Sequence, residues 1–173
     1  AVHDDATVSL EAVATDKAGM IEQGKSLAKL DDRVVVKLPC TWAGIEATKS
    51  LSQEGILVNM TLVFSVSQAL LAAKAGAFYI SPFVGRLNDL RHGNGNKIVE
   101  DIVQVLNTYE FQSNILYASV RNLEAVEHAA KIGADIVTVP FKVLDQMVKH
   151  DMTDKGLAKF LADWEKSGLE LPV

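Results

Sequence analysis

RVVVKLPCTWAGIEATKSLSQEGILVNMTLVF, residues 33 to 64, reads as a strand, a helix and a second strand. Its two ends, RVVVKLP (33 to 39) and ILVNMTLVF (56 to 64), are short and rich in β-branched residues, as suits strands buried on both faces. Between them Ile45, Thr48 and Leu51 recur at helical spacing, and Gly55 stands where a left-handed C-cap would end the helix. Strands joined in this way run parallel, because a parallel pair needs a crossover and a helix is the usual one.

The unit repeats outward. TVSLEAVA (7 to 14) precedes it, and AFYISPF (77 to 83), NILYASV (114 to 120) and ADIVTVP (134 to 140) follow. Leu123, Val126 and Ala130 share a helical face, Gly76 and Gly133 repeat the stop signal, and Ser65 with Gln68 makes a capping box for the helix carrying Ala69 to Lys74. Six strands alternating with helices define an α/β protein with a parallel sheet. A doubly wound sheet would carry a Gly-rich phosphate loop after its first strand, and residues 7 to 19 hold none. The GNGN at 93 to 96 follows Arg91 and His92 rather than a strand, and we read it as a flexible loop.

A TIM (βα)8 barrel accounts for the polar residues better, since it gathers chemistry at the carboxyl ends of its strands. Glu11, Lys37, Asn59, Thr61, Ser81 and Ser119 each interrupt an apolar run. Singly they have ordinary readings: a lysine snorkels, a threonine favours strands, a serine bonds to local backbone. Together, on successive strands, they would face one another inside a barrel. A full barrel needs eight strands and typically about 250 residues. The expectation is therefore one incomplete barrel domain over residues 1 to 173, supplying about six βα units and a C-terminal helix.

Composition narrows the partners. A net charge of -5 with no Lys/Arg cluster argues against nucleic acid. Cys40 is the sole cysteine, so an intrachain disulfide is excluded; we read it as a small buried apolar residue and expect a reducing, cytoplasmic setting. No apolar run approaches the roughly 18 residues that span a bilayer, and residues 1 to 10 lack a signal-peptide pattern, so no membrane role is expected. His3, His92, His128 and His150 have no metal-ligand spacing; neither metal nor organic cofactor is expected.

Lys37 carries the chemical expectation. Its neighbours in VVVKLP are aliphatic, a setting in which a charged amine is poorly solvated and the neutral, nucleophilic form becomes accessible. Such an amine condenses with a ketone, and the resulting iminium accepts electrons from the carbon-carbon bond beyond it. Glu11 would move protons, directly or through a water held by Thr61, while Asn59 and Ser81 would bind substrate hydroxyls.

KLP (37 to 39), NMTLVFS (59 to 65), SPFVGR (81 to 86) and ASVRN (118 to 122), in this order and spacing, resemble the transaldolases, in particular their short microbial subfamily. The likeness continues through ADIVTVPF (134 to 141) to TDKGLAKFLADWEK (153 to 166) and covers essentially the whole chain. It implies Lys37 as Schiff-base lysine, Glu11 as acid/base residue and Thr61 as holder of the catalytic water. Asn59 and Ser81 would contact the substrate, and Arg86, Ser119 and Arg121 would bind its phosphate. The related fructose-6-phosphate aldolases usually carry a tyrosine where this chain has Phe64, so the resemblance favours transaldolase over free aldolase. The implied reaction moves a dihydroxyacetone unit from sedoheptulose 7-phosphate or fructose 6-phosphate to an aldose phosphate, in the pentose phosphate pathway.

Family members begin with two further βα units bearing an active-site Asp and Asn, and this sequence starts just before what resembles their third strand. A free aldolase and a catalytically silent barrel fragment are the alternatives. In the C-terminal helix, residues 153 to 167, Leu157, Phe160, Leu161 and Trp164 form one apolar face. That face suits either the barrel wall or another subunit, and the resemblance favours the subunit contact of a homo-oligomer, a pentamer or decamer.

Overall fold

The computed structural model describes residues 6–90 and 93–171. The strand runs, most of them buried on both faces, build one parallel sheet. Strands β1 (Val8–Glu11), β2 (Val34–Pro39), β3 (Val58–Val63), β4 (Tyr79–Pro82), β5 (Asn114–Tyr117) and β6 (Ile136–Val137) form one sheet in sequential order, and every neighbouring pair is parallel. All six lie inside the runs expected from sequence. They curl into part of a (βα)8 barrel.

The connections are helical: α1 (Lys17–Ala28), α2 (Trp42–Gln53), α3 (Val66–Ala75), the short α4 (Val84–Asn88) followed by α5 (Gly95–Thr108), and α6 (Leu123–Ile132). Val36, Leu38 and Val58 turn outward and pack with Met20 of α1 and Ala47 and Leu51 of α2. Val35 of β2, Tyr79 of β4, Leu116 of β5 and Ala118 just after it form a second apolar cluster on the concave side. Burial of this kind, at about 25 cal/mol per Å², is what holds the sheet and helices together.

The terminators behave largely as their residue types dictate. Gly76 and Gly133 sit in the left-handed region as C-caps of α3 and α6, at φ 88° and 75°. Ser65 caps α3 by accepting the Gln68 N–H at 3.2 Å, but Gln68 reaches one residue further back than a capping box would, accepting the Phe64 N–H at 2.8 Å. In α6 the buried partner of Val126 is Ala129, not Ala130, because the helix turns its i+3 position inward. GNGN is not a free loop either. Asn94 caps α5 by accepting the Lys97 N–H, and Gly95 begins that helix.

A second compact unit, Pro140–Val173, contains α7 (Phe141–Gln146) and α8 (Asp151–Ser167). Its apolar residues Leu157, Phe160, Leu161 and Trp164 are all exposed, Phe160 by 72%. Among the described residues no helix is long and apolar enough to cross a membrane. His3 and His92 lie outside the described residues.

Candidate active site

Strand register decides which side chains meet. Glu11 of β1 is level with Lys37 of β2, which is level with Asn59 of β3. All three point to the concave face, and Lys37 Nζ donates to Glu11 Oε2 at 3.2 Å. The Lys37 side chain is 27% exposed, that of Glu11 56%.

This setting differs from the aliphatic one expected of VVVKLP. Adjacent residues of a strand point to opposite faces. Val36 and Leu38 therefore belong to the helix-facing core, and Val35 and Pro39 share the concave side, one step below and one step above the amine. The amine meets a carboxylate.

Beside the pair runs a polar chain, buried at Ser81 and Asn59 and exposed at Ser9. Ser81 Oγ donates to Asn59 Oδ1 at 2.6 Å, and Asn59 Nδ2 donates to Ser9 Oγ at 3.0 Å. Ser81 and Asn59 are almost wholly buried, so each would carry a desolvation cost of about 1–3 kcal/mol if left unbonded. Thr61 is equally buried, yet its hydroxyl has no hydrogen-bond partner among the described residues. It lies within the register shift between Met60 and Val63, next to Leu62, which takes φ 55°. Strained backbone of this kind costs on the order of 1–3 kcal/mol and gathers at functional sites.

Lys37, Asn59, Thr61, Ser81, Phe83 and Ser119 line one cleft of about 250 Å³. Glu11 and Phe64 are not in its lining: Glu11 reaches the cleft only through its pair with Lys37, and the Phe64 ring packs T-shaped on Phe83, with centroids 6.1 Å apart. Arg86 is exposed and stacks its guanidinium 4.9 Å from the centroid of the same Phe83 ring.

Arg121 and Ser119 line a neighbouring concavity of about 180 Å³. Arg121 Nη2 donates to Asp89 Oδ2 at 2.7 Å, and Ser119 holds φ 66°. Only a glycine fits opposite Ser119, since a Cβ on Gly85 would lie 1.9 Å from the Ser119 carbonyl oxygen. Arg86 does not line this concavity, so the three residues paired with phosphate in the sequence reading separate into Ser119 with Arg121 and Arg86 on Phe83. Among the described residues no three His, Cys, Asp or Glu side chains gather as a metal site.

Residues missed in the sequence reading are Ser9 and Asp89. Ser9 had a signal: it lies two positions before Glu11 and hence on the same face. Asp89 had none, because its partner is distant in sequence.

Cys40 is half-buried rather than buried, immediately after β2, and burial pushes its thiol up to about 11. Alkylation by iodoacetamide at pH 8 is expected to run on the order of 100-fold slower than for an unperturbed thiol, because the thiolate is the nucleophile. A rate equal to that of a small-molecule thiol would contradict this. The folded pKa is raised, so the associated stability is complete below the ordinary thiol range and is lost as pH rises towards about 11.

With this geometry in view, the comparisons with known proteins are specific. The profile of the family described as "Transaldolase/Fructose-6-phosphate aldolase" matches residues 1–171. The chain belongs to that family. A "Probable transaldolase" of Aquifex aeolicus (strain VF5) is 55% identical over 162 residues, covering 94% of this chain and 74% of the relative. One from Syntrophobacter fumaroxidans (strain DSM 10017 / MPOB) is 55% identical over 161 residues, covering 93% and 72%. A solved mandelate oxidase variant with a monooxide FMN adduct is 17% identical at a TM-score of 0.53, over 77% of this chain and 48% of that one, a likeness of fold alone. Membership of the transaldolase/fructose-6-phosphate aldolase family makes this chain a transaldolase-type aldolase.

Proposed function

We propose that the protein is a cytoplasmic transaldolase of the pentose phosphate pathway. It would move a dihydroxyacetone unit from sedoheptulose 7-phosphate or fructose 6-phosphate to an aldose phosphate through a Schiff base on Lys37. The observation that carries this reading is the 3.2 Å Lys37–Glu11 pair on the concave face, beside the buried Asn59, Thr61 and Ser81.

The proton bookkeeping closes on these groups. Glu11 takes a proton from the Lys37 ammonium, and the neutral amine attacks the ketose C2. The same carboxyl returns the proton as the C2 oxygen leaves as water, giving the iminium. Glu11 then accepts the C4 hydroxyl proton while the C3–C4 electrons flow into the iminium. An aldose departs and an enamine remains. An acceptor aldehyde reverses these steps.

A water shared between Glu11 and the otherwise unpartnered Thr61 hydroxyl would relay the proton where Glu11 cannot reach. Asn59 and Ser81, fixed by Ser9, would hold substrate hydroxyls, and Ser119 with Arg121 would take the phosphate, Arg121 through its planar fork. Arg86, stacked on Phe83, would supply a further positive charge to that phosphate.

Borohydride reduction of the full-length protein with fructose 6-phosphate tests this: a sugar-derived adduct on Lys37 is expected, and its absence sinks the Schiff-base reading. The family's second activity, free fructose-6-phosphate aldolase, predicts dihydroxyacetone release without an acceptor. Phe64, whose ring packs T-shaped on Phe83 and carries no hydroxyl, supports the transferase.

The exposed apolar face of α8 supports a homo-oligomer built through this helix, which we take to be a pentamer or decamer. Leu157→Glu combined with Trp164→Glu is expected to lower the mass measured by light scattering; an unchanged mass argues against that contact.

A further inference from the structure

We infer that Asn88, Asn96 and Tyr117 form a positioning clamp for the anion subsite at Arg121, acting through Asp89. The inference rests on the reading above that Ser119 and Arg121 take the substrate phosphate.

The contacts make a closed ring. Tyr117, the last residue of β5 and fully buried, donates its hydroxyl to Asn96 Oδ1 at 3.1 Å. That same oxygen accepts from Asn88 Nδ2 at 3.3 Å, and Asn88 Oδ1 accepts the Gly95 N–H at 2.8 Å. Asn88 ends α4, and the next residue, Asp89, grips Arg121 at 2.7 Å. Arg121 itself lies in the loop that leaves β5. The path therefore starts and ends on one strand-to-loop segment and encloses the concavity lined by Asn88, Asp89, Tyr117, Ser119 and Arg121.

Each part has a reason to be there. Arg121 and Asp89 are more than half exposed, and an exposed ion pair by itself holds a long side chain weakly. Something must fix the carboxylate for the guanidinium to be preorganised. The start of α5 does so by lying close against α4: a Cβ on Gly95 would lie 2.6 Å from the Val84 carbonyl oxygen, and Asn96 Oδ1, shared by Asn88 and Tyr117, links the end of α4 to the buried phenol. Among the described residues Asp89 engages one terminal nitrogen of Arg121, and the remaining N–H groups would receive an anion. A repulsive carboxylate beside a phosphate would be counterproductive unless it orients the arginine.

The test uses the full-length protein, with inorganic phosphate and fructose 6-phosphate as probes. Arg121→Gln sets the limit for loss of the subsite. Asn88→Ala and, independently, Asn96→Ala are expected to weaken inorganic phosphate binding by about tenfold in calorimetry, because misplaced donors lose much of their worth. The KM for fructose 6-phosphate should rise by a similar factor with kcat little changed. Reductive trapping of dihydroxyacetone, which has no phosphate, should proceed as in the unaltered protein.

A parallel fall in kcat and in dihydroxyacetone trapping would show general damage, and unaltered phosphate binding in both variants would show no clamp; either overturns the inference. If the unaltered protein traps no sugar yet the variants weaken phosphate binding, the clamp stands and the Schiff-base reading falls.

Discussion

Lys37→Arg is expected to remove turnover of sedoheptulose 7-phosphate with glyceraldehyde 3-phosphate, a loss on the order of 10⁵-fold or more, since no other group can supply the covalent electron sink. Arginine keeps a positive charge next to Glu11, so the variant separates electrostatics from nucleophilicity. A guanidinium stays protonated at any working pH and forms no iminium with a ketone. The substrate should still bind, because Asn59 and Ser81 remain tied to Ser9. Product would be followed as fructose 6-phosphate by a coupled assay, and the borohydride adduct should vanish in parallel. Residual activity within tenfold of the parent would place the nucleophile elsewhere.

Glu11→Gln should cost about 10²–10⁴-fold in kcat, the usual worth of a positioned proton shuttle. Glutamine is nearly isosteric and can still accept a hydrogen bond from Lys37 through its amide oxygen. What it cannot do is take a proton from the ammonium or return one to the departing water. Both Schiff-base formation and carbon-carbon cleavage should slow, so single-turnover trapping and steady-state rate should drop together. Because the Glu11 side chain is 56% exposed, bulk buffer could carry part of the proton traffic; formate or acetate should therefore restore some rate in the variant. A variant as active as the parent would remove Glu11 from the mechanism and leave only its pairing with Lys37.

These two expectations differ from the first reading of Lys37 in an instructive way. VVVKLP looks like an apolar nest for an amine when read along the chain. In space the neighbours on either side, Val36 and Leu38, cover α1 and α2, and the residues that surround the amine come from other strands. Sequence adjacency in a strand is a poor guide to environment because alternation sends neighbours to opposite faces. The same rule, applied two residues at a time, would have added Ser9 to the site from Glu11 alone.

The strand-helix order, the parallel sheet and the caps at Ser65, Gly76 and Gly133 were legible in the sequence, as were the polar residues at the strand ends. These depend on local periodicity and on the backbone preferences of single residues, which act over a few positions. Tertiary structure alone decided the partners: Lys37 with Glu11, Asn59 between Ser9 and Ser81, Arg121 with Asp89, and Arg86 over Phe83. Those contacts follow from strand register and from the close approach of α5 to α4. Both are set by packing between segments that lie far apart along the chain, and no local pattern encodes them.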